Sequence, residues 1–125
     1  MTETTAEPGH VDPDCLFCRI VMGQVPASFV HEDDLVVVFP DIAPRAPTHL
    51  LLVPRRHIVS AAALTESDAP MVGRLFAVAA RIARDAGIAD AGYRMVTNIG
   101  RAAGQSVDHL HFHLMGGRPM TWPPG

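Results

Sequence analysis

Five short apolar runs of strand length and two helical stretches predict an α+β fold. The architecture expected is a five-stranded antiparallel sheet with one long helix and a short N-terminal helix. Turn signals of a few residues separate most neighbouring runs, which favours antiparallel pairing through short loops. The exception is a long amphipathic stretch between the third and fourth runs, which suits a helix packed on one sheet face. At 125 residues, 48% of them apolar, the chain is one domain with room for a modest core.

Residues 1–13 hold almost no large apolar side chain. They are expected to form a disordered tail ahead of a domain over 14–125, with His10 playing no part. Cys15 to Met22 is mostly apolar and predicts a short helix stopped by Gly23. Phe29–Glu32 and Leu35–Phe39 flank the turn signal Asp33-Asp34 and read as a hairpin. Pro40, Pro44 and Pro47 make the next segment a stiff loop. His49–Val53 is a third strand, ended by Pro54. Arg55 and Arg56 behind it fit either a solvated strand end or a phosphate site.

Thr65, with Asp68 three residues on, starts the long helix. Met71, Leu75, Val78 and Ile82 follow at helical spacing, with Arg74, Arg81 and Arg84 on the other side. Gly87 is placed to end it. Tyr93–Asn98 alternates as a fourth strand, and small residues from Gly100 to Gly104 feed the fifth. Gly116-Gly117 ends that strand.

The fifth run carries the chemistry. His109, His111 and His113 alternate with Leu110, Phe112 and Leu114. Period two places the imidazoles on one strand face, about 7 Å apart, with the apolar residues sealing the other. Such a face can hold a metal or bind and attack an anion. Imidazole titrates near neutrality, so it serves as nucleophile, acid or base. Gly104-Gln105-Ser106 just before it offers a turn suited to a phosphate. His49 either completes the cluster or is a lone histidine at a strand start. Asp41 and Asn98 each fit a ligand contact or a turn cap.

Composition bounds the partners. The formal charge of −3 gives no support for non-specific nucleic-acid binding. No apolar run approaches the ~18 residues of a membrane span. The N-terminal residues lack a signal-peptide pattern, so a cytoplasmic location is expected. In a reducing compartment Cys15 and Cys18, spaced CxxC, suit metal or redox chemistry. A closed zinc site needs two more ligands, and His57 and His109 are candidates.

His109-Leu110-His111-Phe112-His113-Leu114-Met115 resembles the motif of the histidine triad family. The likeness extends to Phe17, Asp41-Ile42, Ala46-Pro47-Thr48-His49, His57-Ile58, Gly104-Gln105-Ser106-Val107 and Trp122-Pro123-Pro124-Gly125, a pattern similar to the Hint branch. The resemblance implies a homodimer whose two sheets join. It implies binding of purine nucleoside monophosphates and hydrolysis of phosphoramidates, such as adenosine 5′-phosphoramidate or lysine-linked AMP. It casts His111 as nucleophile, supported by His113, His49, His109 and Ser106. Asp41 becomes the ribose carboxylate, with Phe17, Phe39, Ile42 and Leu51 around the base. Asn98, Gly104, Gln105, Ser106 and His113 fall on the phosphate side, and Trp122 reaches the partner's site. Cys15, Cys18, His57 and His109 correspond to a structural zinc site.

Two positions depart from the pattern. Pro40 stands where animal Hint proteins commonly have histidine, and Asp108 where an aromatic or apolar residue is usual. Other readings are dinucleoside polyphosphate hydrolysis, a nucleotide- or zinc-binding module without turnover, and one catalytic metal shared by His109, His111 and His113.

Overall fold

A computed structural model describes residues 10–125. The elements in order are α1 (Leu16–Val21), β1 (His31–Glu32), β2 (Val36–Pro40), β3 (Thr48–Pro54), α2 (Ala69–Asp85), β4 (Tyr93–Val96) and β5 (Phe112–Gly116). The five strands form one sheet in the order β1-β2-β3-β5-β4, with every neighbouring pair antiparallel. This is the predicted fold, with one long helix and one short one.

Both sheet faces are covered. On one, Val36, Val38, Leu52, Leu110, Phe112 and Leu114 pack against Leu75, Val78, Ala79 and Ile82 of α2. On the other, Val37, Phe39, Leu51 and Val53 meet Phe17, Cys18 and Ile20 of α1. Double coverage explains the unbroken apolar run Val36–Phe39, which does not alternate. The second face continues past α1 onto His113 and His49.

The hairpin turn forms because Asp33 Oδ1 accepts from the amides of Leu35 and Val36 at 2.7 and 2.9 Å. The hairpin is tied to α2 through His31, whose Nε2 donates to Asp33 (2.7 Å) while its Nδ1 accepts from Arg81 (2.7 Å). The Thr65 and Asp68 pairing is present, the Thr65 amide donating to Asp68 Oδ2 at 2.9 Å. It opens a 3-10 turn over Glu66–Asp68, and α2 proper starts at Ala69 with a proline in its first turn. Gly87, at φ 76°, ends it as predicted.

Three local expectations change. The histidine strand begins at Phe112, not His109, because its ladder with β3 ends at the pair Leu52–Phe112, while Val53 and Pro54 pair only with β2. His109–His111 runs beside residues 55–58 instead, with the Leu110 amide on Ile58 O at 2.6 Å. Inward and outward alternation persists, but only His113 stands in the ladder. β4 stops at Val96, and the Thr97 hydroxyl turns to donate to His111 O at 2.8 Å. Residues 1–9 of the expected tail lie outside the described residues. Residues 10–13 pack on the domain: the carbonyl of His10 accepts from the His57 amide at 2.8 Å, and the Asp12 amide donates to Cys18 Sγ at 3.2 Å.

Candidate functional site

Helix α1 brings Cys15 and Cys18 under the turn after β3 and the start of the histidine run. Cys15 Sγ lies 3.3 Å from His109 Nδ1, and Cys18 Sγ lies 3.4 Å from His57 Nδ1. The two Nδ1 atoms are 3.3 Å apart. All four donor atoms fall within 4.8 Å of one another and form a possible metal-binding group. Zinc bonds of about 2.3 Å to sulfur and about 2.0 Å to nitrogen, at tetrahedral angles, put S···N near ~3.5 Å and N···N near ~3.3 Å. The donor set therefore fits that ion in type and spacing. His109 Nε2 donates to Pro54 O at 2.8 Å, which leaves Nδ1 with its lone pair facing the group. Burial pushes the His109 imidazole down to about 4 and the Cys18 thiol up to about 11.

With both nitrogens of His109 engaged there, the three triad imidazoles do not converge on one metal, and that reading is set aside. His111 and His113 belong to a second group. His111 Nδ1 donates to His109 O at 2.7 Å, so Nε2 carries the free lone pair. The Arg45 amide donates to His49 Nδ1 at 2.9 Å, so the proton of neutral His49 sits on Nε2. That Nε2 is 2.9 Å from His113 Nδ1. His113 Nδ1 then accepts, and its proton sits on Nε2. Backbone groups at Arg45 and His109 thus set one bare Nε2 on His111 and one Nε2–H on His113. The two rings stand 5.2 Å apart. Burial lowers the pKa of both His49 and His113, the neighbouring histidine His111 adding to the effect at His113.

A cavity of about 220 Å³ opens in front of these rings. Phe17, Phe39, Leu51, Ile42 and Val107 supply its apolar side, and Asp41, Ser106, His111 and His113 its polar side. Phe17 stands edge-on to His111 at 5.1 Å. A second cavity of about 370 Å³ shares Asp41 and His113 and adds His49, Arg45 and Asn98. An apolar slot leading to imidazoles and a carboxylate suits a ligand with a flat apolar part and a polar, anionic end.

The family model described as "Scavenger mRNA decapping enzyme C-term binding" matches residues 14–122. A HIT-like protein of Synechocystis is 44% identical over 112 residues, covering 90% of this chain and 97% of its own. The chain belongs to the histidine triad family. A HIT family hydrolase from Legionella pneumophila is 44% identical with a TM-score of 0.88, over 90% of this chain and all of its own. A histidine triad protein from Clostridium difficile is 36% identical with a TM-score of 0.85, over 88% of this chain and 96% of its own.

Within this histidine triad chain, most residues singled out in the sequence come together. Asp41 caps its turn, one of the two readings open to it: Oδ1 accepts from the Ala43 amide at 2.8 Å, while Oδ2 faces His49 Nε2 at 3.4 Å. Others lie apart. Trp122 is 83% exposed and lines neither cavity. Gly104, at φ 93°, shapes the turn before Ser106 and lines neither cavity. The amide of Gln105 is spent within the protein. Arg55 and Arg56 bind neither solvent alone nor this site. Arg55 Nε donates to Asp33 O at 2.5 Å, and Arg56 pairs with the buried Asp68. Sequence reading missed Thr97, Arg45 and Pro54, whose hydroxyl, amide and carbonyl orient the histidine segment. Backbone donors carry no residue signature, so only Thr97 offered a side-chain clue.

Proposed function

We propose that this histidine triad protein is a hydrolase that cleaves the P–N bond of purine nucleoside 5′-phosphoramidates through a nucleotidyl-histidine intermediate. The observation that carries the reading is the pair of opposite tautomers: a bare Nε2 on His111 beside an Nε2–H on His113. His111 attacks the α-phosphorus, the amine leaves with a proton, and water then opens the His111–phosphorus bond to release the nucleoside monophosphate. His113 donates to a phosphoryl oxygen as its charge grows, and Ser106 stands at the same oxygens or the leaving amine. The base enters between Phe17, Phe39, Ile42 and Leu51. Asp41 takes the ribose hydroxyls, and Asn98 flanks the phosphate. Pro40 replaces one polar contact at the slot with a stiff apolar edge.

Cys15, Cys18, His57 and His109 would hold zinc in a structural role. The ion would tie the segment before α1 to the lead-in of β5, and it takes no part in the reaction. Strand β4 is a sheet edge, which supports a homodimer formed by pairing two copies of it. In that dimer Trp122 would reach the other copy's cavity. Sedimentation is expected to give a dimer at micromolar concentration; a monomer alone removes this part.

The function is tested by rapid-quench trapping with a labelled adenosine 5′-phosphoramidate, followed by mass spectrometry of the peptide spanning His111. A nucleotidylated peptide is expected, with turnover of His111→Ala reduced by several orders of magnitude and AMP binding little changed. A peptide that is never labelled, together with near-normal turnover of His111→Ala, overturns the reading.

A further inference from the structure

The geometry points to Gln105 as a positioning residue that acts by holding the Ser106 turn, with no contact to the phosphate of its own. The inference rests on the functional reading above for what the turn does. How the turn is held is independent of it.

The side-chain amide of Gln105 is used up by the protein. Its Oε1 accepts from the Gly100 amide at 2.8 Å. Its Nε2 donates to Val59 O at 2.7 Å and to Val107 O at 3.0 Å. A carboxamide nitrogen has two hydrogens, and both are taken, so none is left for a phosphate oxygen. The Gln105 backbone amide in turn donates to Gly100 O at 3.1 Å. Gly100 is thus bound by one residue at both its N–H and its C=O. This closes the small loop from Gly100 to Gln105, whose end glycines sit at φ 86° and 93°, where other residues are strained.

The same amide crosses to a second segment. Val59 follows Ile58, whose carbonyl receives the Leu110 amide at 2.6 Å. Gln105 therefore ties three pieces of chain together: the loop before it, the lead-in to His109 after it, and the stretch behind His57. Ser106 sits inside this knot. Among the described residues, neither the Ser106 hydroxyl nor the Ser106 and Val107 amides have a hydrogen-bond partner. Both residues line the cavity with His111 and His113. Free donors held rigidly beside the reacting centre are what a phosphoryl transfer uses, and misplacing them costs rate.

Two variants test this. Gln105→Met keeps the length and removes every side-chain hydrogen bond. Gln105→Glu keeps the shape but sets a carboxylate against the carbonyls of Val59 and Val107. Folding is checked by thermal melting. Three readouts follow: amide exchange at Gly100 and Gln105 by NMR, affinity for AMP and adenosine, and kcat and KM on adenosine 5′-phosphoramidate. Exchange at Gly100 and Gln105 is expected to quicken about tenfold, the worth of one net hydrogen bond. The value of kcat is expected to fall about 100-fold, as for a displacement near 1 Å. KM and adenosine affinity are expected to stay within about threefold, since the nucleoside slot is untouched. Wild-type kcat in either folded variant overturns the proposal. Unchanged exchange with weakened AMP binding overturns it too, and makes Gln105 a direct phosphate ligand. If the unaltered protein does not turn over the phosphoramidate, the functional reading fails by itself, and exchange and AMP affinity still decide how the turn is held.

Discussion

His49 and His113 are joined Nε2 to Nδ1 at 2.9 Å, and the Arg45 amide at the far side of His49 decides which nitrogen of each ring carries a proton. The pair spans β3 and β5, which are neighbours in the sheet. Removing His49 frees His113 to take the wrong tautomer. For His49→Ala, kcat on adenosine 5′-phosphoramidate is expected to fall about 10²-fold, within the usual range for an acid–base group. Adenosine affinity should hold, because His49 does not line the apolar slot. Steady-state kinetics and calorimetry on the same preparation check this.

The same pair makes stability depend on pH. Burial holds both imidazoles below the ordinary value of 6.5 in the fold. The unfolded chain therefore takes up protons first as pH falls. Stability from this source is complete above about 6.5 and is lost as pH drops toward the folded values. A plot of melting temperature against pH should decline below about pH 6.5, and the double variant His49→Gln, His113→Gln should flatten that limb.

Asp68 adds a second, more acidic limb. Burial alone would raise its pKa, but the Arg56 guanidinium and the Thr65 amide outweigh it and bring it below 3.8. A carboxylate depressed in the fold stabilises above its unfolded value and ceases to as pH falls through the folded one. Asp68→Asn leaves Arg56 half-buried without its counter-charge. Urea unfolding at neutral pH is expected to show a loss of about 2–3 kcal/mol, under the ~3–5 kcal/mol of a fully buried pair because Arg56 reaches solvent.

Metal removal should act on stability before chemistry. The cysteine and histidine group links α1 to the segment leading into β5, and the His111 Nε2 proposed as nucleophile is not among its donor atoms. Dialysis against a strong chelator is expected to release one zinc per chain and to lower the melting temperature by at least about 10 °C, corresponding to a few kcal/mol. Adding zinc back should restore it. Elemental analysis finding no metal in tag-free protein, with both thiols titrating freely, would count against the site.

Gly116 ends β5 where there is no room for a side chain. A Cβ there would stand 2.6 Å from Ile88 Cδ1 and 3.1 Å from Ile88 Cβ. Gly116→Ala is expected to cost about 1–3 kcal/mol through overpacking. Ile88→Val removes the closest methyl, so the double variant should recover part of the loss. A double-mutant cycle by urea unfolding measures that coupling.

Much of this molecule is legible in local pattern. The hairpin at Asp33-Asp34, the helix face of Leu75, Val78 and Ile82, the stop at Gly87 and the apolar side of the histidine run are all short-range signals, and all appear in the fold. So does the candidate metal group, because the two cysteines share one CxxC and the family resemblance singles out His57 and His109 among seven histidines. The chain's spacing could not show where β5 begins. That depends on the Leu110 amide leaving the β3 ladder for the carbonyl of Ile58, a partner about fifty positions away in sequence. The sequence marks His109 both as a candidate metal ligand and as a member of the triad, and only the fold sends His109 to the thiols while His111 and His113 face the cavity. Which nitrogen of each ring is bare is set by an amide of Arg45 and a carbonyl of His109, and every residue owns such groups. Side-chain chemistry is written in residue identity and periodicity, whereas a backbone donor acquires a role only when folding aims it at one ring nitrogen.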